Sequence, residues 1–324
     1  MKALAQDRYG SAQVVHPAEI EVPSIGDTDV LVRMRAVSLH RGDWHLMTGL
    51  PYLTRVIGFG VRAPRTRTRG MDIAGTVESV GRSVTELKPG DEVFGVCTGA
   101  LAEFAAARAD LMLPKPTAVT FVQAAAVPTS AVTALQALRD AGRLTAGQSV
   151  LVIGAAGGVG IFAVQLVRAF GAEVTGVCST TKLDLVRSIG ADHVIDYTRE
   201  DFVTSGRRYD LIIDTAGNRS LSRLRRALTP HGTLVIVGGE SAGRWSGGFG
   251  RQIRAMVLSP FVSQRLRGLA AVQRRADLTV IREMLAAGTL TPVIDRTYPL
   301  AEGRDALLRL ESGDALGKIV VTSV

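Results

Sequence analysis

Residues 150–160 read VLVIGAAGGVG, and a long amphipathic segment follows them. An apolar run that breaks into alanines and glycines ahead of such a segment predicts a strand, a tight turn and a helix. The open N-terminus of a helix placed this way is suited to a pyrophosphate. Gly154, Gly157, Gly158 and Gly160 are spaced G-x-x-G-G-x-G rather than G-x-G-x-x-G. Glycine lets the backbone turn sharply, approach a phosphate and pack helix against strand, while Ala155 and Ala156 keep the same surface small. A structural turn with no ligand is the alternative. No Gly-Lys-Ser/Thr follows, which excludes a phosphate-lysine P-loop. The turn lies some 150 residues into the chain, which leaves room for a domain ahead of it.

After the turn, strand and helix patterns alternate. A helix is expected over 158–170, with Val159, Phe162, Ala163, Leu166 and Val167 on one face. Strands are expected at Glu173–Cys178, 193–195, Tyr209–Asp214 and 233–237, with helices over 181–188, 220–228 and 270–287. This βα repeat implies a parallel sheet covered by helices and joined by right-handed crossovers. Before the turn, short alternating runs at 3–5, 29–37, 73–80 and 92–96, separated by Gly, Pro and Asp turns, predict a mostly β, barrel-like domain. Residues 46–69 are less regular and read as a mobile loop near a ligand. A helix is expected over 124–141. The last segment, with strands at 293–298 and 318–324 around a helix over 300–310, repeats the style of the first domain. If the final strand pairs back into that domain, the nucleotide domain is an insertion within it.

Composition narrows the possibilities. The chain has 324 residues, 46% apolar and 21% charged, with 35 glycines; this predicts a two-domain globular protein rich in turns. The 38 basic and 30 acidic residues give +8, but the arginines are scattered, with short clusters only at 62–69 and 223–226. A cationic enzyme with a phosphate-bearing ligand explains them without nucleic acid. Two cysteines, Cys97 and Cys178, exclude a four-cysteine zinc site and argue against a disulfide framework. Both fall in apolar segments and are expected to be buried. The first residues, MKALAQDRYG, show no apolar signal core, and a cytoplasmic protein is expected. Residues 150–167 carry no charge, but their glycines favour a nucleotide turn over a membrane span.

Cofactor choice rests on the residues just after Cys178. A carboxylate there would accept from ribose hydroxyls and repel a 2′-phosphate; the chain instead has Ser179, Thr180, Thr181 and Lys182, which suit NADPH. The alternative is that Ser179 or Thr180 caps the next helix while Lys182 faces solvent. Arg187 lies about one turn too far on. Tyr197 stands where it can stack or hydrogen-bond near an adenosine, or serve as an edge aromatic. Residues 214–218 (DTAGN) and 237–239 (VGG) each follow an apolar strand, so their main chains are expected beside the nicotinamide; Asp214 caps or braces its turn.

His40, Asp43 and His45 superficially resemble a metal cluster, but no cysteine completes them and GMDIAG (70–75) has no histidine, so no metal site is expected. Asp43 is expected to brace the local turn and Trp44 to pack. There is no Gly-x-Ser-x-Gly elbow and no evident acid–base pair. Hydride transfer needs only an aligned nicotinamide, an electron-poor acceptor and a proton source. His40 or Arg41 could polarise a substrate oxygen; for each, a purely structural role is the alternative.

An ordered series of motifs runs nearly the full length: AVSLHRGDWHLMTG (36–49), GMDIAGTVESVG (70–81), LKPGDEVFG (87–95), AAAVPTSAVTALQAL (124–138), the 150–180 stretch, SIGADHVIDY (188–197), DTAG (214–217) and GKIVVT (317–322). In this series the chain resembles the zinc-free quinone oxidoreductase (zeta-crystallin-like) branch of the medium-chain dehydrogenase/reductase superfamily. The resemblance implies an α/β protein: a GroES-like, mostly β catalytic domain (1–122 and 291–324) around a doubly wound Rossmann domain with a parallel sheet (123–290). It implies NADPH held by Ala156, Gly158, Val159 and Gly160 at the pyrophosphate, by Ser179, Lys182 and Tyr197 at the 2′-phosphate and adenosine, and by Thr133, Val237, Gly238 and Gly239 on the nicotinamide side. Zinc-dependent relatives place a Cys within 38–43 and a His-Glu pair after Gly70; this chain has Met71-Asp72 and no cysteine-rich lobe. Quinone reductases often carry Asn-Pro where His40-Arg41 stands. The implied activity is metal-independent hydride transfer from NADPH to a quinone or α,β-unsaturated carbonyl, by a homodimer without a membrane or nucleic-acid partner. An NADPH-binding regulatory or structural protein without turnover, and less so an alcohol dehydrogenase, stay open as alternatives.

Overall fold

The structure is a computed structural model. It describes every residue except Asn218, 239–242, Ser246 and Val324, and only the backbone of Ile57 and Gly58. The chain folds into two compact units, Met1–Ser130 with Gln273–Val324, and Ala131–Val272. The segments 123–130 and 273–290, assigned above to the nucleotide domain, belong by compactness to the first unit. Arg275 explains part of this: it donates to the carbonyls of Ala109 and Met112 and pairs with Glu86.

The first unit is built on a seven-stranded sheet. Its main path runs Ile294–Pro299, Lys318–Thr322, Asp29–Leu39, Asp72–Val80, Glu92–Val96, Met112–Pro114, and Phe104–Arg108 pairs with Asp29–Leu39. Pairing is antiparallel except between the first two strands. Strand Asp29–Leu39 shows why the sequence alternates. Val30, Val32 and Met34 are buried, Arg33 and Arg35 are exposed, and beyond Ala36 every residue is buried. Burying Val30, Val32 and Met34 contributes about 1.5–3 kcal/mol each, and a one-residue slip would expose all three. The last strand does return to this sheet, with Ile319 opposite Leu39 and Val321 opposite Val37.

The second unit carries six parallel strands in the order His193–Asp196, Glu173–Cys178, Ser149–Ile153, Tyr209–Asp214, Leu228–Ile236, Arg265–Gly268. Counted along the chain this is 3-2-1-4-5-6, the doubly wound Rossmann order, and the direction of winding reverses between Ser149–Ile153 and Tyr209–Asp214. Helices cover both faces, so these strands are apolar throughout rather than alternating. The Gly160–Ala169 helix buries residues from Gly160 to Val167 on nearly all sides, with only Gln165 partly exposed.

Two elements of this unit are absent from the sequence reading: the helix Gly248–Leu258 and the edge strand Arg265–Gly268. In RLRG only Leu266 is buried, so no periodicity is long enough to see. In the first unit, residues 46–69, expected as a loop, include the end of the helix Arg41–Thr48 and the short helical turns Tyr52–Thr54 and Arg55–Phe59.

Candidate functional site

In the second unit the phosphate turn lies at the carboxyl end of Ser149–Ile153, where winding reverses and ligands of such sheets bind. Gly154 sits at φ +82°, and a Cβ there would fall 2.4 Å from Thr215 Oγ1; one on Gly160 would fall 2.1 Å from the Gly154 carbonyl oxygen. The backbone thus fills the space a side chain would need. Val159 stands at the N-cap and no side chain caps the helix, so the first-turn N–H groups suit an anionic ligand. Ala156, Gly158, Val159 and Gly160 all lie on this turn, as expected.

At the end of the neighbouring strand, Ser179 is the N-cap of the turn Thr180–Lys182, but its hydroxyl makes no capping bond. Thr180 is committed elsewhere: its Oγ1 donates to Asp196 Oδ2 at 2.5 Å. Asp196 also accepts from the Thr198 amide (3.0 Å) and hydroxyl (2.7 Å) and lies 3.6 Å from Arg199. The Thr180 bond, then those from Thr198, hold its pKa below the usual carboxylate range. Asp196 is therefore occupied by its own neighbours. Ser179, Lys182 and the 45%-exposed ring of Tyr197 border this strand end, and the donor set fits a phosphorylated ribose. Burial dominates at Cys178, whose thiol is pushed up to about 11.

Across the reversal point, Asp214 is fully buried. Its Oδ1 accepts from the Gly217 amide at 3.0 Å, and its main-chain carbonyl accepts from the amides of Val237 (2.9 Å) and Gly238 (3.2 Å). It braces the turn, one of the two roles expected. Arg251, in the helix that the sequence did not reveal, pairs with Asp214 Oδ2 at 2.5 Å. Val237 and Gly238 are partly exposed at the strand end; Gly239 lies outside the described residues. Thr133 is buried on the helix Pro128–Gln136.

In the first unit, His40 is the N-cap of Arg41–Thr48. Its Nδ1 accepts from the Gly42 amide at 3.0 Å, while Asp43 Oδ2 accepts from the His40 amide at 3.0 Å. Asp43, fully buried, also accepts from the Gly70 amide through Oδ1 at 3.1 Å. The expected brace is thus a bridge from the helix start to GMDIAG. Because Nδ1 accepts, the neutral ring carries its proton on Nε2. That nitrogen is buried without a hydrogen-bond acceptor among the described residues, 3.7 Å from Asp43 Oδ2. Arg41 donates to the Leu310 carbonyl at 2.9 Å and stacks over Trp44, contacts that tie the helix to Gly303–Ser312. His45 bonds to the Leu50 carbonyl instead of joining His40 and Asp43.

Beside this helix lies a charge pair that the residue-by-residue reading missed. Asp72 and Lys318 are both buried, with Nζ 3.8 Å from Oδ2. Asp72 Oδ1 accepts from the Thr129 amide (3.1 Å) and hydroxyl (2.5 Å), and Lys318 donates to Ser130 Oγ at 2.8 Å. Burial raises the Asp72 pKa and lowers that of Lys318, and each is pulled back by the other's charge. The only sequence signal was a charged residue opening each of two apolar strands, DIAGTV and KIVVT. The donor set does not fit zinc. The lysine ammonium already supplies the positive charge, burial keeps the nearby Cys97 thiol protonated, and among the described residues no three His, Cys, Asp or Glu side chains converge.

Comparison with known proteins agrees with this geometry. Residues 26–117 match the family described as "Alcohol dehydrogenase GroES-like domain", and residues 189–321 the one described as "Zinc-binding dehydrogenase". The chain is 32% identical to a chloroplastic quinone-oxidoreductase of Triphysaria versicolor, covering 99% of this chain and 98% of the relative. It is 33% identical to a 2-methylene-furan-3-one reductase of Solanum lycopersicum (99% and 79%) and 30% identical to a mitochondrial NAD(P)H oxidoreductase of Mus musculus (100% and 89%). The quinone oxidoreductase structure from Coxiella burnetii superposes with a TM-score of 0.87 at 26% identity, covering 100% of this chain and 99% of that one. These names correct the expectation of a cytoplasmic protein, because the relatives that carry a compartment are chloroplastic or mitochondrial. Among the described residues no helix is long and apolar enough to cross a membrane. The chain belongs to the zinc-independent, quinone-oxidoreductase-like branch of the medium-chain dehydrogenase/reductase superfamily, a family of NADPH-binding oxidoreductases.

Proposed function

We propose that the protein reduces a quinone or an α,β-unsaturated carbonyl compound with NADPH and without a metal. NADPH, when bound, supplies the hydride. Ala156, Gly158, Val159 and Gly160 would hold its pyrophosphate, Ser179, Lys182 and Tyr197 its adenosine end, and Thr133, Val237 and Gly238 its nicotinamide side. The relatives' names, a quinone-oxidoreductase and a furanone reductase, support both acceptor classes.

The observation that carries the reading is the buried, unmatched Nε2–H of His40. A carbonyl oxygen gains negative charge as its compound is reduced, and a fixed donor then strengthens when it is most needed. Donors of this kind contribute about 2.7–4 kcal/mol to the barrier. The Gly42 amide holds the imidazole through Nδ1 while Asp43 holds the His40 backbone, so the donor need not reorganise. Arg41, engaged with Leu310 and Trp44, positions the helix.

The test is acceptor-dependent oxidation of NADPH across a panel of quinones and enones. Turnover that falls by about a hundredfold in His40→Asn, which keeps an N-cap oxygen, supports the reading. Tight NADPH binding with no turnover on any acceptor overturns it. We propose a homodimer formed through the second unit. The strand Arg265–Gly268 is a sheet edge, and Ile253, Met256, Val257 and Phe261 nearby are exposed. Light scattering of the purified chain measures this directly.

A further inference from the structure

The first unit contains a cavity of about 190 Å³ beside the Asp43–Gly70 bridge. Leu46, Phe59 and Met71 give it apolar walls, Thr98 a hydroxyl, and Arg65 and Arg69 two guanidinium groups. Its volume is below the ~300–1,000 Å³ of drug-sized sites, so it suits a small molecule or one end of a larger one.

Arg69 is the unusual member. It is 5% exposed, and its Nε and Nη2 are both buried without an acceptor among the described residues. Leaving such donors unmatched costs about 1–3 kcal/mol each, and more for a charged group. Asp43 is the nearest compensating charge, but both its oxygens are taken by the His40 and Gly70 amides.

The two unmatched nitrogens also specify a geometry. Nε–H and Nη2–H lie side by side on one edge of the guanidinium, the edge that grips a carboxylate with two parallel bonds. Arg33, Arg108, Arg139 and Arg309 use this pair of nitrogens on Glu78, Asp110, Asp140 and Asp295. In Arg69 the same fork is unmatched among the described residues, and the residue lines the cavity.

We propose that this cavity takes the carboxylate of the acceptor, and that the acceptors of this enzyme are α,β-unsaturated carbonyl compounds that carry an acid group. The reaction class rests on the reductase reading above; carboxylate binding does not. Reduction adds the hydride to one alkene carbon and a proton to the other, NADPH becomes NADP⁺, and the carboxylate is unchanged.

Binding is tested without turnover. For the full chain, 4-oxopentanoate and its methyl ester serve as saturated probes in calorimetry. The acid is expected to bind at least tenfold more tightly than the ester, and Arg69→Met to abolish that preference. Arg69→Lys keeps the charge without the fork and is expected to fall between. Equal binding of acid and ester to the wild type overturns the proposal, whether or not the variants fold; so does an acid preference that survives in Arg69→Met. Kinetics with 4-oxo-2-pentenoate and its methyl ester then read the same preference as a KM ratio. If the saturated acid binds as expected but no acceptor oxidises NADPH, carboxylate binding stands and the reductase reading fails.

Discussion

Lys318→Met removes one half of the buried pair that holds Asp72. Lys318 is 1% exposed and Asp72 0%, and their charged atoms are 3.8 Å apart. With an effective dielectric constant of about 20, their attraction is about 4 kcal/mol. Methionine retains most of the lysine stem, so little cavity forms and the loss is chiefly electrostatic. Asp72 keeps the two bonds from Thr129 on Oδ1 and has no partner for Oδ2. Removing one partner of a buried pair costs about 3–5 kcal/mol, which brackets the Coulomb figure.

The loss should depend on pH. Burial raises the Asp72 pKa, and the Lys318 charge opposes the rise; without Lys318 the folded pKa moves further up. An acid whose folded pKa lies above its unfolded one binds a proton on folding between the two values. The variant's stability therefore falls as pH rises through that window, by up to about 1.4 kcal/mol per pH unit, and the deficit against wild type is largest at neutral pH. Urea unfolding in a Trp245→Phe background isolates the first unit, because Trp44 then supplies the fluorescence. Asp72→Asn combined with Lys318→Met should recover most of the loss, since neither charge is then left buried. A deficit below about 1 kcal/mol at neutral pH, a deficit that does not change with pH, or a double variant as unstable as the single one would refute the reasoning.

Three further outcomes are expected. Lys182→Ala should weaken NADPH at least tenfold, about 1.4 kcal/mol, and NADH little; equal losses in titrations of the two cofactors contradict a phosphate contact. Gly160→Ala places a Cβ 2.1 Å from the Gly154 carbonyl oxygen, so a loss of about 1–3 kcal/mol in thermal unfolding should accompany lost NADPH affinity, and an unchanged variant would show that the turn is not tightly packed. Glu173 is held below the usual carboxylate range first by the Arg207 hydrogen bond and then by that of His193. Its contribution is present above that range and is lost as pH falls through the lowered pKa; Glu173→Gln should cost under about 1 kcal/mol at this exposed site and flatten the acid limb of the stability–pH curve.

Much of the second unit is legible in the residues themselves. The glycine turn, the apolar strand Tyr209–Asp214 and the strand Glu173–Cys178 are local signals, because a strand buried on both faces must be apolar throughout and a turn at φ +82° must be glycine. Asp43 as a turn brace is legible too, since its partner His40 lies three residues away. The helix Gly248–Leu258 is not, although it brings Arg251 to Asp214; nothing in its residues names a partner 37 positions earlier. Arg199 beside Asp196 escapes notice for a different reason: an exposed arginine in a loop looks like any other.

The amino-acid order carries the parallel α/β core, the dinucleotide turn and the lack of a carboxylate after Cys178, because each depends on residues near one another in the chain. The linkage of Lys318 to Asp72 across 246 positions, the buried proton on His40 Nε2 and the buried, unmatched fork of Arg69 arise only once the sheet has closed. Burial is what gives those three groups their chemistry, and burial belongs to the packed fold: the same lysine, histidine and arginine on an exposed loop would be solvated and ordinary.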